Sequence, residues 1–238
     1  MELKEMIAKR KSVRSYSAVP VEESVLEQIQ EFIVSAKPLY PDIRVEAKIV
    51  PKEQVRFYMP WKAPQLIAIF SEEKPGYLEN VGFLFQQVDL YLQSIGLGAC
   101  WMGLGKLREK MEGSLPFVIL LAFGYPEGKA LRGSVKEFRR RSLEEISDNG
   151  DSRLEGARLA PSSTNSQPWY FTHEGDVIHA YCSLTGLRRH RGLGNMNRID
   201  MGIALAHVYL EHKEQFSFFR AEAAGEVKDY AYIGSFTL

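Results

Sequence analysis

The residues best suited to hold a ligand are six small polar side chains in a row at residues 162–167, with the sequence SSTNSQ. Their hydroxyl and amide groups can both donate and accept hydrogen bonds. Pro161 precedes them, and because proline lacks a backbone N–H and disfavours helical geometry in the residue before it, a helix must end near Ala160. The aromatic sequence after Pro168 predicts a strand. The run is therefore either a polar surface loop or a ligand-binding loop.

A second candidate is the basic segment at residues 10–16, with the sequence RKSVRSY. In an extended chain Arg10, Ser12 and Arg14 would point to one face, and Val13 would be buried on the other. A planar guanidinium group matches two phosphate oxygens at a time. The segment is thus either a phosphate clamp or a solvated basic terminus.

A third candidate is the glycine-rich stretch at residues 96–103, GLGACWMG. Gly96 suits the left-handed position that ends a helix, and Gly98 and Gly103 would let a flat or bulky group approach the backbone. Leu104 stands where a nucleotide P-loop would have lysine, which excludes that motif. The stretch is either a helix cap followed by a buried turn or a ligand-contacting turn.

The elements that must position these residues can be predicted from hydrophobic spacing. Apolar residues three and four positions apart predict helices that begin near Leu3, Val21, Leu78 and Asn197. Alternating or continuous apolar runs predict strands at residues 45–50, 64–70, 117–124, 177–182 and 230–236. The mixture predicts an α+β fold.

Composition limits the function classes. The 238 residues carry 30 basic and 30 acidic side chains, so no global field would attract nucleic acid or an anionic membrane. The charged N terminus lacks a secretory apolar core, and no apolar run is long enough to span a bilayer, so we expect a cytoplasmic protein. Cys100 and Cys182 are interpreted as buried thiols. The histidines lack carboxylate or cysteine neighbours at ligand spacing, so no metal site is expected.

The three candidate stretches resemble signatures of the FMN-dependent nitroreductase family. Residues 160–169 resemble its flavin-contacting loop, residues 10–16 its Arg-x-Ser-x-Arg-x-Tyr/Phe signature, and residues 96–103 the turn whose backbone N–H meets flavin N5. Lys129 and Arg132 are placed like the basic pair that the family uses on the phosphate. The resemblance implies a nitroreductase-like three-layer α+β fold and FMN as cofactor.

The resemblance also implies which residues contact the cofactor. They are Arg10, Lys11, Ser12, Arg14, Met102, Gly103, Lys129, Arg132, Pro161, Ser162, Ser163 and Asn165. Arg14 would serve either flavin N1 or the phosphate. The resemblance implies no catalytic side chain, because flavin N5 does the chemistry.

The motif order departs from the family, because the Ser/Asn loop normally comes after the first helix. We therefore predict an internal repeat, with a first half at residues 1–138 and a shorter second half at 139–238. Residues 139–146 would then correspond to residues 9–16, although they could instead be the family's ordinary basic tail. Because nitroreductases are usually homodimers that bind FMN between subunits, two such halves would mimic the homodimer, and a monomer would suffice.

Only one of the two possible flavin sites retains its residues. In the other, Glu144 replaces Arg14, and residues 37–42 (KPLYPD) replace the serines and the amide. We therefore expect one FMN per chain.

The implied activity is that of an oxidoreductase that takes hydride from NAD(P)H onto flavin N5. It would pass the electrons to a nitro compound, a quinone or a similar small acceptor. The alternative is a flavin-binding sensor or storage protein without turnover. The basic loop at residues 188–191, together with Arg198, is interpreted as a solvated face. The alternative is that it contacts the phosphates of the nicotinamide dinucleotide.

Overall fold

The computed structural model describes residues 2–56, 63–111, 113–184, 193–222 and 224–238. The basic loop at residues 188–191 lies outside them. The chain folds into two compact units. The first comprises Met1–Tyr77 and Gln87–Glu137, and the second comprises Leu78–Gln86 and Phe138–Leu238.

The first unit contains a four-stranded sheet. Its helices are α1 (Leu3–Ile7), α2 (Glu23–Ser35) and the C-terminal part of α3 (Tyr77–Ser94). Its strands are β1 (Val45–Pro51), β2 (Val55–Arg56), β3 (Gln65–Ser71), β4 (Gly98–Met102), β5 (Lys106–Leu107) and β6 (Phe117–Gly124). The sheet has the order β1-β3-β6-β4, with every neighbouring pair antiparallel, while β2 pairs with β5.

The core of the first unit covers one face of this sheet. Alternate residues of β3 and β6 point into this core. These strands therefore carry an apolar side chain at least at every second position. Val13 and Tyr16 from the N-terminal segment pack into the same core, together with Val50 and Met102. The N-terminal segment is therefore fixed to the sheet by burial of its apolar residues.

The second unit contains another four-stranded sheet. Its helices are α4 (Leu143–Ile146), α5 (Glu155–Leu159) and α6 (Leu193–Glu211). Its strands are β7 (Trp169–Glu174), β8 (Val177–Ser183), β9 (Ser217–Phe219) and β10 (Tyr230–Thr237). The order is β7-β8-β10-β9, again with antiparallel neighbours. The two sheets share one topology: a hairpin, a long helix, an edge strand and then a strand inserted between hairpin and edge.

Two glycines allow α6 to pack closely on the start of α3 in the second unit. A Cβ atom on Gly82 would lie 2.0 Å from the carbonyl oxygen of Ile199, and one on Gly202 would lie 1.9 Å from that of Glu79. Both distances are far below van der Waals contact, so any side chain at either position would force the helices apart.

The predicted elements are confirmed with small shifts at their ends. The six predicted strands are β1, β3, β6, β7, β8 and β10, and the two long predicted helices are α3 and α6. Gly96 has φ +90°, the left-handed conformation expected after a helix. Among the described residues, no helix has the length and apolar character needed to cross a membrane.

The glycine-rich stretch differs from the predicted turn. Residues 98–102 form the strand β4, and the turn that follows it begins at Gly103 and Leu104. The group that approaches Gly98 is the side chain of Val13, which would lie 2.7 Å from a Cβ atom at that position. The absence of a side chain at Gly98 lets the N-terminal segment lie against β4.

Candidate functional site

The basic segment is held along the edge of the first sheet. It leaves α1 with a hydrogen bond from the Arg10 amide to the carbonyl of Met6 (2.7 Å). It then runs parallel to β4, with a bridge between Ser12 and Ala99 and a hydrogen bond from the Val13 amide to the Ala99 carbonyl (3.0 Å). Val13 is buried, as the alternation predicted.

Arg10 does not share an exposed face with Arg14. The Arg10 side chain is 1% exposed, its Nε donates to Oδ2 of Asp89 (3.0 Å), and its Nη2 donates to Oγ of Ser12 (3.3 Å). Asp89 comes from α3 and is fully buried. Arg10 points inward because the buried carboxylate of Asp89 requires a cation. Strand alternation alone does not take this requirement into account. Arg14 is exposed.

Lys129 and Arg132 are brought to the same segment. The Arg132 amide donates to the Lys9 carbonyl (2.7 Å), and the Arg132 guanidinium donates to the Arg10 carbonyl. Lys11 Nζ donates to the Lys129 carbonyl (3.4 Å). Two distant stretches of sequence thus form one cationic cluster, which we define as Arg10, Lys11, Ser12, Lys129 and Arg132.

The electrostatics of this cationic cluster favour an anion. Burial lowers the pKa of Arg132, the neighbouring charge of Arg10 lowers it further, and Glu137 opposes the shift. Lys129 is exposed and lies 3.4 Å from a carboxylate oxygen of Glu137. A dianion at the cluster would remove the repulsion between the two guanidinium groups.

Three further predicted site residues of the first unit are Arg14, Met102 and Gly103. Met102 is the buried last residue of β4, and Gly103 begins the turn after it. Arg14 is exposed and lies between the bridge from Ser12 to Ala99 of β4 and the bridge from Tyr16 to Pro126 beyond the end of β6. All eight predicted residues of the first unit thus belong to three neighbouring segments.

The four site residues predicted in the second unit lie in one loop between α5 and β7. Pro161 is buried, and the loop closes through a hydrogen bond from the Gln167 amide to Ser162 Oγ (2.9 Å). Thr164, Asn165 and Gln167 have left-handed backbones, with φ of 52°, 60° and 49°. Such values are rare, above all for a β-branched residue such as Thr164, so surrounding contacts must hold this shape.

A buried acid on α6 binds the backbone of this loop. The Ser163 amide donates to both carboxylate oxygens of Asp200, at 3.1 and 3.0 Å. Asp200 is 4% exposed, and its burial raises its pKa to about 8, although the bond from Ser163 acts in the opposite direction. Ser163 Oγ also donates to the sulfur of Met196 (3.6 Å).

The second basic segment, at residues 139–146, folds differently from the first. Ser142 and Glu145 form a reciprocal capping box, in which the Ser142 amide donates to Glu145 Oε2 (2.8 Å), and α4 begins there. The guanidinium of Arg140 donates to the Ala160 carbonyl (3.0 Å) and to Oδ1 of Asn165 (2.5 Å). Arg139 is exposed.

Sequence reasoning missed three residues that shape the site: Asp89, Arg140 and Asp200. For both aspartates a signal existed, because each is an acidic residue within a mostly apolar stretch of a long helix. The Ser-x-x-Glu spacing of Ser142 and Glu145 was also visible and predicts a helix start. No local pattern identifies the partners of Arg140.

His173 has acidic neighbours in space that the spacing of residues along the sequence does not reveal. Its Nδ1 lies 2.6 Å from Oδ1 of Asp148, and its Nε2 lies 3.0 Å from Oδ2 of Asp151. The contacts tie β7 to the segment between α4 and α5. The two nitrogen atoms face different carboxylates, and the described residues contain no group of three or more acidic, histidine or cysteine side chains arranged to hold a metal.

Comparison with known proteins gives the family. A family model described as "Putative TM nitroreductase" matches residues 2–212. The chain belongs to this nitroreductase family. A comparison with curated proteins finds no match.

Solved structures give the fold of this nitroreductase. A structure described as a "putative nitroreductase" from Thermotoga maritima MSB8 is 23% identical, with a TM-score of 0.66 over 99% of this chain and 92% of that one. The predicted nitroreductase-like α+β fold is therefore confirmed. A nitroreductase family protein from Clostridium difficile 630 is 18% identical, with a TM-score of 0.48 over 61% of this chain and 96% of the other. An FMN-dependent nitroreductase from Clostridium difficile R20291 is 17% identical, with a TM-score of 0.44 over 58% and 98%.

Proposed function

We propose that this nitroreductase binds FMN and acts as an NAD(P)H-dependent oxidoreductase on a small acceptor such as a nitro compound or a quinone. Nitroreductases generally use a flavin, and the cationic cluster is the single observation that carries the assignment to this chain. The cluster joins cations and a hydroxyl from two distant stretches, and the pKa of Arg132 is lowered by burial and by Arg10. A phosphate monoester would satisfy both features.

The donor set fits FMN in chemical terms. Lys11, Ser12, Lys129 and Arg132 supply the charged and hydroxyl donors that a phosphate requires. The Arg10 side chain already donates hydrogen bonds to Asp89 and Ser12. Arg10 therefore contributes its positive charge to the site from beneath Ser12.

The other proposed contacts concern the ring and the ribityl chain. Arg14 serves flavin N1 or the phosphate, and the Met102-Gly103 backbone serves N5. Pro161, Ser162, Ser163 and Asn165 serve the ring and ribityl edge. Support comes from the exposed position of Asn165 on a loop whose backbone Asp200 holds through Ser163.

Bound FMN would supply the chemistry itself: hydride transfer from NAD(P)H to N5, then electron transfer to the acceptor. The protein residues hold the phosphate, orient the ring through loop hydrogen bonds and place a cation near it. No side chain has to donate or remove a proton in this scheme.

We further propose that residues 1–138 and 139–238 are related halves and that the chain binds one FMN. Support comes from the common strand order of the two sheets. A second phosphate site is not expected, because the second basic segment forms the helix α4 where an extended clamp would be needed.

The test is anaerobic reduction of the FMN-loaded protein by NADH and by NADPH. Reduction is monitored as the loss of the absorbance band of oxidised flavin near 450 nm. We expect bleaching on addition of the nicotinamide and recovery when a quinone or a nitroaromatic is added. Arg132→Gln should weaken FMN retention, whereas the matched control Arg139→Gln should not. Bound flavin that is never reduced would support the sensor or storage alternative, and a protein that binds no flavin would refute the proposal.

A further inference from the structure

We propose that Arg140 is a positioning residue that sets the orientation of the Asn165 amide and holds the Ser/Asn loop, defined as residues 162–167, in its binding shape. The loop-holding part stands on the geometry alone. The part that concerns flavin rests on the proposed function.

Arg140 first donates hydrogen bonds to the backbone carbonyl groups at the end of α5. Its Nε donates to the Ala160 carbonyl (3.0 Å), and its Nη2 donates to the Leu159 carbonyl (3.4 Å). Helix ends leave carbonyl groups without intrahelical partners, and Pro161, the next residue, has no N–H to offer. The guanidinium therefore fixes the point at which the loop leaves the helix.

Arg140 then determines which way the Asn165 amide faces. Its Nη1 donates to Oδ1 of Asn165 (2.5 Å), while Nδ2 of Asn165 donates to the Arg139 carbonyl (3.0 Å). A guanidinium can only donate and a carbonyl can only accept. The amide thus has one allowed orientation, and its second N–H is available at an exposed position as a donor of fixed direction.

The loop needs such support because its backbone is strained. Thr164 and Asn165 both have left-handed conformations, with φ of 52° and 60°. Residues in this region persist only when the surrounding structure over-determines them. The Gln167 side chain helps, since its Nε2 donates to the Asn165 carbonyl (3.2 Å) and its Oε1 accepts from the Arg141 amide (2.8 Å).

Lysine could not replace Arg140 in this role. The bonds to Leu159, Ala160 and Asn165 diverge from one planar guanidinium. A lysine ammonium is a compact point charge at the end of a flexible chain and does not reproduce a planar fork. The arrangement therefore assigns the role to the guanidinium shape as well as to its charge.

The first experiment needs no flavin: amide hydrogen exchange by mass spectrometry in the full-length protein. In Arg140→Gln we expect about tenfold faster exchange of the amides of residues 162–167, the effect of losing one hydrogen bond to a charged group. Arg140→Lys should give an intermediate increase and serves if the glutamine variant folds poorly. The matched control Arg139→Gln should leave the loop unchanged. Unchanged exchange of the loop in Arg140→Gln and Arg140→Lys would overturn the proposal.

The second experiment is a double-mutant cycle on FMN binding. We expect Arg140→Gln to raise the Kd for FMN about tenfold in the wild-type background and to have a smaller effect in an Asn165→Ala background, because part of the effect of Arg140 passes through Asn165. Effects that multiply independently would overturn the flavin part. If the wild-type protein binds no FMN, the proposed function is wrong, and the exchange experiment alone decides whether Arg140 holds the loop.

Discussion

The two basic segments of this nitroreductase start from similar sequences and adopt different structures. In the first, Arg10 turns inward to Asp89, and the chain continues extended along β4 with Val13 in the core. In the second, Ser142 begins the helix α4, and Arg140 contacts the carbonyls that end α5. The same Arg-x-Ser spacing therefore serves a cationic cluster in one unit and a loop support in the other.

The residues after each serine account for the difference. Ser12 precedes Val13, a β-branched residue that packs well on an extended, half-buried segment. Ser142 precedes a sequence that places Glu145 three positions later, which completes a capping box and favours a helix. A basic motif thus predicts a phosphate clamp only when its flanking residues keep the chain extended.

The two buried helical acids extend the comparison. Asp89 on α3 is bonded to a guanidinium, whereas Asp200 on α6 accepts the backbone amide of Ser163 and has its pKa raised to about 8 by burial. The two acids therefore differ in their partners, a guanidinium for Asp89 and a backbone amide for Asp200.

The largest predicted effect is on the first segment. Arg10→Ala should lower the free energy of unfolding by about 3–5 kcal/mol, because it leaves the Asp89 carboxylate buried without this cation. The control substitution in the second segment, Arg139→Ala, removes an exposed side chain and should change stability by less than about 0.5 kcal/mol. Urea denaturation measures both. Equal effects would remove the distinction between the segments.

The next effect concerns Asp200 and pH. Its folded-state pKa of about 8 lies above the ordinary value of 3.8, so between these values the folded state holds a proton that the unfolded state has released. Its contribution to stability is therefore complete below the unfolded pKa and is lost as pH rises towards 8, by at most about 1.4 kcal/mol per pH unit.

Asp200→Asn should remove this dependence. Urea denaturation of both proteins at pH 5, 6, 7 and 8 should show the stability of the wild-type protein relative to the variant falling steadily as the pH rises. Parallel pH profiles would show that Asp200 is ionised when folded, like a paired acid.

The smallest predicted effect concerns the capping box of α4. Glu145→Ala should cost about 1 kcal/mol, since the Ser142 amide loses its acceptor at the helix start. The control is Glu226→Ala, at an exposed position of the same unit, which should be close to neutral. If Glu145→Ala is equally neutral, α4 does not depend on its cap, and the sequence explanation for the two segments fails.

Much of the fold could be predicted from the sequence because spacing alone encodes it. The strand β6, with its continuous apolar run, and the helix α3, with its period of three and four, were predicted within a few residues. The direction of Arg10 could not be predicted from alternation, because it depends on Asp89, a partner remote in sequence. The group that approaches Gly98 could not be predicted for the same reason, since it is the side chain of Val13.

The most direct test of the account compares FMN with riboflavin, which lacks the phosphate. If the cationic cluster holds the phosphate, the wild-type protein should bind FMN at least about 100-fold more tightly than riboflavin, as expected for two hydrogen bonds between charged groups. Arg132→Gln should reduce this ratio about tenfold, and Arg139→Gln should leave it unchanged. Equal affinity of the wild-type protein for FMN and riboflavin would contradict the account.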